Sequence, residues 1–207
     1  MLRLHHAPVA CSLASRFALA EAGLEHEVAI VRTSRGEQNT EAYRRINPRG
    51  QVPALETDEG VLTESSAILP FIADLAPAKA LFPPCGTFAR AKAQAWLSFL
   101  SSGLHAAIAA VMFPAPNDTD EVRAARLAKL TAKFQDVDAH LAGRDHLLER
   151  LSVCDLYLLV FALWRAAPAL AGQLPALPNL DRFQQTLLAR PALAAIVGDE
   201  MRMRMEG

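Results

Sequence analysis

The dipeptide Val52-Pro53 limits what this chain can fold into more than any other feature. Proline cannot donate to a sheet ladder, so it marks an edge or a bend at the entrance of a short apolar strand. The turn Asp58-Glu59-Gly60 follows, then a second short strand at Val61-Leu62. Glu64-Ser65 opens a helix that runs to Ala76-Pro77. A cis bond before Pro53 would turn the chain sharply and face the Val52 backbone outward. An outward edge offers one N–H and one C=O to an extended peptide. At a helix start such as Ser65, backbone donors and the positive dipole end converge, which suits a carboxylate. Glu64 beside it suits an ammonium. A free amino-acid end carries both groups on one carbon, so residues 50–65 read as a receptor for a small peptide with a free α-amino-acid head.

The chain before this stretch supplies the rest of a sheet. Residues 1–5 alternate and read as a strand, and Pro8-Val9-Ala10-Cys11-Ser12 as a turn. Leu13, Phe17 and Ala20 share one helical face that ends at Gly23. Residues 26–31 read as a second strand, 32–40 as a polar loop, and 41–46 as a short helix stopped at Asn47-Pro48. Strands joined by a helix run parallel and strands joined by a tight turn run antiparallel. The expected first domain, residues 1–77, is therefore a four-stranded mixed sheet with helices.

Residues 77–86, rich in proline and small side chains, read as a linker. Residues 87–207 read as an all-helical domain. Trp96, Phe99, Leu100, Gly103 and Leu104 follow the helical spacing rule. Phe113-Pro114-Ala115-Pro116 breaks that helix, and Asp118 with Glu121 forms a candidate capping box for the next. Leu130, Phe134, Val137 and Leu141 give that next helix its apolar face, and Gly143 ends it. Ser152-Val153-Cys154-Asp155 is a second capping box, with Leu151 and Leu156 placed as a hydrophobic staple. The helix behind it is apolar nearly all round, which marks the buried axis of a bundle. A helix from about 180 to 189 and a short one after Pro191 close the chain.

Composition excludes several roles. Among 207 residues, 21 basic and 22 acidic side chains leave a net charge of −1, with no surplus to neutralise phosphates, so nucleic acid is not an expected partner. The run Leu156–Trp164 is too short to cross a bilayer, and no membrane association is expected. No apolar leader with a cleavage site is seen at the N-terminus. Cys11, Cys85 and Cys154 form no metal-ligand spacing, and their odd, sparse count suits a reducing cytoplasm.

Several side chains invite chemistry. Cys11 stands between the first strand and the first helix. The helix terminus either stabilises a reactive thiolate there, or the cysteine is buried and inert. Ser12 is either the helix N-cap or a hydroxyl donor to a bound thiolate. His105 on the first helix of the second domain is either structural or turned toward a ligand. His5 and His6 are adjacent on a strand and point to opposite faces, so they do not share a metal ion. Arg32 and Arg35 are either solvated or meet a ligand carboxylate. Asp155 is read as the structural N3 member of its box.

Taken together these pieces resemble the cytosolic glutathione transferases, most closely the bacterial beta class. Residues 8–15, Pro-Val-Ala-Cys-Ser-Leu-Ala-Ser, look like that class's cysteine turn. Asn47-Pro48-Arg49-Gly50-Gln51-Val52-Pro53-Ala54-Leu55 is similar to its cis-proline segment, and Leu62-Thr63-Glu64-Ser65-Ser66-Ala67-Ile68 to its γ-glutamyl site. The resemblance implies a thioredoxin-like first domain, an all-helical second domain lining a hydrophobic substrate site, and a cytoplasmic homodimer. It implies glutathione as co-substrate and no metal. Val52, with Pro53, would meet the cysteinyl backbone, and Gln51, Glu64 and Ser65 the γ-glutamyl end; Arg35 joins the expected glutathione-binding residues from its charge. Cys11 and Ser12 would sit near the sulfur, with His105 added from the helical domain and Met112 and Phe113 against a hydrophobic electrophile. The chain departs from the class at His6, where tyrosine is usual, at Ser98 in place of asparagine, and at Gly103 and Ala106, which replace charged residues. The leading activity is conjugation of glutathione to hydrophobic electrophiles. The alternatives are thiol–disulfide exchange through a Cys11 mixed disulfide and non-catalytic carriage of apolar ligands.

Overall fold

Strand β1 (Arg3–His6) is the middle of the fold's only sheet among the described residues. The structure, a computed structural model, describes residues 1–205. The chain continues through α1 (Leu13–Ala22), β2 (Glu27–Ile30), α2 (Glu41–Ile46), β3 (Ala54–Thr57), β4 (Gly60–Thr63) and α3 (Ser65–Leu75). It then runs through α4 (Phe88–Ser98), α5 (Ala106–Met112), α6 (Asp120–His140), α7 (Val153–Trp164), α8 (Pro178–Leu188) and α9 (Pro191–Met205).

Two compact units result. The first comprises residues 1–83 together with the chain from Leu188 onward, and the second comprises residues 84–187. In the first, the sheet order is β2-β1-β3-β4. β1 runs parallel to β2, with Leu4 opposite Val28, and antiparallel to β3, with Leu4 opposite Leu55. β3 and β4 form the hairpin, closed by Thr57 opposite Gly60. This is the expected mixed sheet. Leu4 and Leu55 have no exposed surface, nor do Phe17 and Leu19 of α1 and Ile68, Leu69 and Ile72 of α3. Each such side chain contributes about 1.5–3 kcal/mol when withdrawn from water. The α1 helix stops where Gly23 takes φ 68° and its N–H returns to the Ala20 and Leu19 carbonyls.

Helix α9 departs from the sequence reading in length and in place. It is not a short closing turn but spans Pro191–Met205, and it packs against α1. Arg190, just before it, donates to the Glu21 carboxylate at 2.8 and 2.5 Å. The polar loop 32–40 is also more ordered than a loop. It holds two 3-10 turns, Thr33–Arg35 and Glu37–Asn39, and the Glu37 carboxylate accepts the Arg32 N–H at 2.7 Å.

In the second unit α7 is the buried axis. Every residue from Val153 to Ala162 is buried. Its capping box forms as expected: the Asp155 carboxylate accepts from the Ser152 N–H and hydroxyl at 2.8 Å each and from the Leu147 N–H at 2.7 Å. Desolvation pushes the Asp155 carboxyl up, against the pull of the Leu147 and Ser152 donors. The other expected box does not form around Asp118. Thr119 caps α6 by accepting the Val122 N–H, while Asp118 accepts the Ala115 N–H at 2.7 Å and pairs with Arg126. The side chain one residue nearer the helix has the shorter reach to its first turn. A π-helical segment, Phe99–His105, joins α4 to α5 in one rod, Phe88–Met112. That rod is long and apolar enough to cross a membrane by length and composition, a test that core helices of water-soluble proteins also pass.

Replacing Asp155 with alanine leaves three buried donors without their acceptor. A loss of about 3 kcal/mol is expected in urea unfolding followed by circular dichroism. A change under about 1 kcal/mol would show that the box is not structural.

Candidate active site

The turn after β1 carries the candidate nucleophile. It begins at Ala7, which is fully buried, and the Leu13 N–H returns to Ala10 and the Ala14 N–H to Cys11 to start α1. Cys11 keeps part of its surface exposed, and its Sγ donates to the Val52 carbonyl at 3.4 Å. The turn and the Val52–Pro53 segment are thus in direct contact, although 41 residues apart in the chain. The Val52–Pro53 bond is cis.

Two side chains outside the sequence expectations fix that segment. Tyr43 Oη and Asn47 Nδ2 both donate to the Gln51 carbonyl at 2.7 Å. Tyr43 also meets the His5 ring edge to face, and His5 pairs with Glu56. Gly50 cannot be replaced cheaply: it takes φ 62°, and a Cβ there would come within 2.9 Å of the Gln38 carbonyl. In the sequence Asn47 reads only as a helix stop, and nothing local marks Tyr43 as a clamp.

The head-group end lies at the start of α3. Glu64, the residue before the helix, is exposed and takes φ 71°. A non-glycine residue in that region stores about 1–3 kcal/mol of strain, and such strain clusters at functional sites. Ser65, the first helical residue, is buried. Gln51 is exposed through its side chain. Arg35 is exposed in its 3-10 turn, and among the described residues no hydrogen bond or ion pair ties it to this cluster.

Ser12 follows neither of the two roles its sequence position suggests. It stands at the N-cap position of α1 with φ −60°, and its side chain caps nothing. Its hydroxyl has no exposed surface and lies 2.8 Å from His6 Nδ1, accepting the Ala7 N–H at 3.2 Å. A hydroxyl sealed in this way does not reach a ligand.

Two opposed effects bear on the two readings of Cys11. Its place at the helix terminus predicts a lowered pKa. Desolvation instead pushes the thiol up to about 11, outweighing the N–H groups of Cys11 and Ser12, and the nearby Glu64 charge adds to the rise. Fixed donors lower a thiol only when they exceed the loss of water around the anion. Cys154 is raised by burial as well, and donates to the Ala93 carbonyl at 3.4 Å.

In the second unit, His105 ends the π-helical segment. Its ring lies 5.4 Å from those of Phe161 and Trp164, and its Nδ1 is 3.3 Å from Tyr157 Oη. Met112 ends α5 and is half-buried, and Phe113 is 75% exposed.

A family model for the glutathione S-transferase N-terminal domain matches residues 10–75. Glutathione S-transferase GstA of Escherichia coli O157:H7 is 32% identical over 193 residues, which cover 92% of this chain and 94% of that protein. The chain belongs to the glutathione S-transferase family. Among solved structures, the bacterial transferase BphK superposes with a TM-score of 0.86 at 34% identity, covering 96% of this chain and 98% of that one. A bacterial beta class transferase from Sphingomonas chungbukensis gives 0.83 at 34% identity over the same shares. A sphingomonad transferase complexed with glutathione gives 0.84 at 38%, again over 96% and 98%. This transferase therefore has the thioredoxin-like first unit and helical second part that its sequence suggested, with the expected likeness to the beta class.

The ligand-free transferase should alkylate slowly at Cys11. In a Cys85→Ser background, the iodoacetamide rate followed by peptide mass spectrometry should rise with a midpoint near 11. A midpoint near the ordinary thiol value of about 8.5 would contradict the desolvated thiol.

Proposed function

We propose that this glutathione S-transferase joins the glutathione thiolate to small hydrophobic electrophiles, with Cys11 acting as a neutral S–H donor to the glutathione sulfur. The observation that carries this reading is the Cys11 thiol held at the Val52 edge, its Sγ donating to the Val52 carbonyl at 3.4 Å, with desolvation favouring the neutral form. A thiol donates where a thiolate repels, so a second sulfur anion is stabilised beside Cys11 and its own pKa falls. That anion then attacks the electrophilic carbon. A carbon–sulfur bond forms, the leaving group departs with its electron pair, and the thiol proton has already gone to solvent. Thiol–disulfide exchange asks the opposite of Cys11, because it needs the thiolate.

The tripeptide is assigned to the first unit, supported by the glutathione held in the sphingomonad relative. Its cysteinyl backbone would lie along Val52 and Pro53. In the free protein the Cys11 S–H donates to the Val52 carbonyl, and on binding it would turn to the ligand sulfur and leave that carbonyl to the ligand backbone. Gln51, Glu64 and Ser65 are assigned to the γ-glutamyl end, where an exposed carboxylate and the α3 start supply opposite charge preferences. Arg35 is assigned to a carboxylate of the tripeptide on its charge alone. Ser12 contributes through position. His105, Met112 and Phe113 are assigned to the electrophile, in a hydrophobic substrate site lined by residues 87–207. The protein is further proposed to act in the cytoplasm.

Replacing Cys11 with alanine should lower kcat/KM for glutathione and an activated aryl chloride by about tenfold or more, in line with the loss of one preorganised donor. Unchanged kcat/KM would remove Cys11 from the mechanism. A stable Cys11–glutathione disulfide in the intact mass, with negligible conjugation by the unmodified protein, would favour exchange instead.

A homodimer is proposed on the family likeness and on Phe88, which one chain leaves 77% exposed. Light scattering should return twice the 22.4 kDa chain mass. A single-chain mass at micromolar concentration would refute it.

A further inference from the structure

We infer that His5 and Glu56 are positioning residues: their pair on one face of the sheet seats Tyr43, and through Tyr43 the short helix α2, so that Gln51 and Val52 are held in place for the tripeptide. The effect on binding rests on the assignment of glutathione to the first unit, but the seating itself needs no ligand.

Strand register explains why these two side chains meet. His5 of β1 stands opposite Ala29 of β2 and Ala54 of β3. Paired residues on neighbouring strands share a face, and so do residues two apart on one strand. His5, Ala54 and Glu56 therefore lie on one face, with Glu56 diagonal to His5. Alanines on both sides leave room for an imidazole that is only 5% exposed. A carboxylate only accepts, so the Nε2 that bonds Glu56 Oε1 carries the proton. The other charges on that face are Arg3, opposite both Glu27 and Glu56, and Glu27 itself, 3.8 Å from Arg3. Tyr43 of α2 lies against the imidazole, with ring centroids 5.7 Å apart and planes at 67°.

Helix α2 depends on that contact. It has six residues, too few to be stable alone. Tyr43 is the one residue of the six that is buried, and its neighbours Glu41, Arg44 and Arg45 are exposed. Burial pushes the Tyr43 phenol up to about 12, so its hydroxyl keeps its proton and donates. The acceptor is the Gln51 carbonyl at 2.7 Å, and Asn47, at the end of the same helix, donates to the same oxygen at 2.7 Å. Both donors thus reach Gln51 from one helix whose seat is His5. A shift of about 1 Å would stretch both bonds beyond hydrogen-bond reach. It would also loosen Val52, whose carbonyl accepts the Cys11 thiol at 3.4 Å.

Variants of the full chain in the Cys85→Ser background test the seat. Glu56→Leu removes the acceptor and His5→Leu the imidazole. Tyr43→Phe removes only a hydroxyl and leaves Asn47 in place. Glu56→Gln keeps an acceptor for Nε2 and is the rescue. Glu27→Gln is the control, on the same face of the sheet but paired with Arg3. Calorimetry with glutathione should show Kd about tenfold higher for Glu56→Leu and His5→Leu, and about threefold higher for Tyr43→Phe. At saturating glutathione, kcat with an activated aryl chloride should stay within about twofold, because the bound tripeptide pairs with Val52 and reseats it. With Val52 loosened and no ligand present, water reaches Cys11, and its alkylation at pH 8 should be about tenfold faster. Glu56→Gln should stay within about threefold of the unmutated protein in Kd. Glu27→Gln should change neither binding nor alkylation.

Unchanged Kd and unchanged alkylation in Glu56→Leu and His5→Leu, with only a lower melting temperature, would overturn the inference. If the unmutated protein binds no glutathione, the glutathione assignment fails and alkylation alone decides the seating: faster in these two variants supports it, unchanged overturns it. Should the variants fail to fold, the imidazole nitrogen shifts of His5 in the unmutated protein decide. A proton on Nε2 supports the seat, and a proton on Nδ1 alone overturns it.

Discussion

The two-sided pairing of β1 is the constraint on which the first unit depends. This strand bonds β2 on one edge and β3 on the other, in opposite senses. No single hairpin builds such a strand, so α1 must cross over to bring β2 back in parallel, and the segment before Pro53 must return β3 antiparallel. Both connections meet at the end of β1. That is why the Cys11 turn and Val52 touch, and why a sheet of short strands can hold the Cys11 sulfur beside the backbone of Val52.

Much of this fold is legible from local pattern. The strands, the crossover helix and the hairpin follow from alternation and turn chemistry in residues 1–65, and the spacing of Ser152 and Asp155 is enough to announce the α7 cap. Short-range signals succeed where partners are a few residues apart. They fail where the partner is distant. Nothing near residue 200 marks the Glu200 carboxylate as the buried acceptor of the Val9 N–H, because a carboxylate in a C-terminal helix reads as solvated surface. Tyr43 and Asn47 are similar cases: their shared acceptor, the Gln51 carbonyl, becomes visible only when the chain has folded back.

At Cys11 two correct local arguments compete. The N–H groups of Cys11 and Ser12 at the helix terminus do pull the thiol down, as position suggests. Desolvation acts on the same anion and is larger, and the Glu64 carboxylate reinforces it. Sequence position reveals the first effect and conceals the second, because burial belongs to the tertiary structure. The consequence is a change of role. In the proposed reading a neutral Cys11 donates its S–H to the ligand anion, and the same Glu64 that disfavours a Cys11 thiolate is assigned to the ligand ammonium.

A crystal structure of the protein with glutathione tests the central claim most directly. The account predicts the cysteinyl backbone paired with Val52, the γ-glutamyl end at Glu64 and Ser65, and the glutathione sulfur within hydrogen-bond reach of an unbonded Cys11 Sγ. A tripeptide bound elsewhere, or a sulfur–sulfur bond to Cys11 as the resting complex, would contradict it.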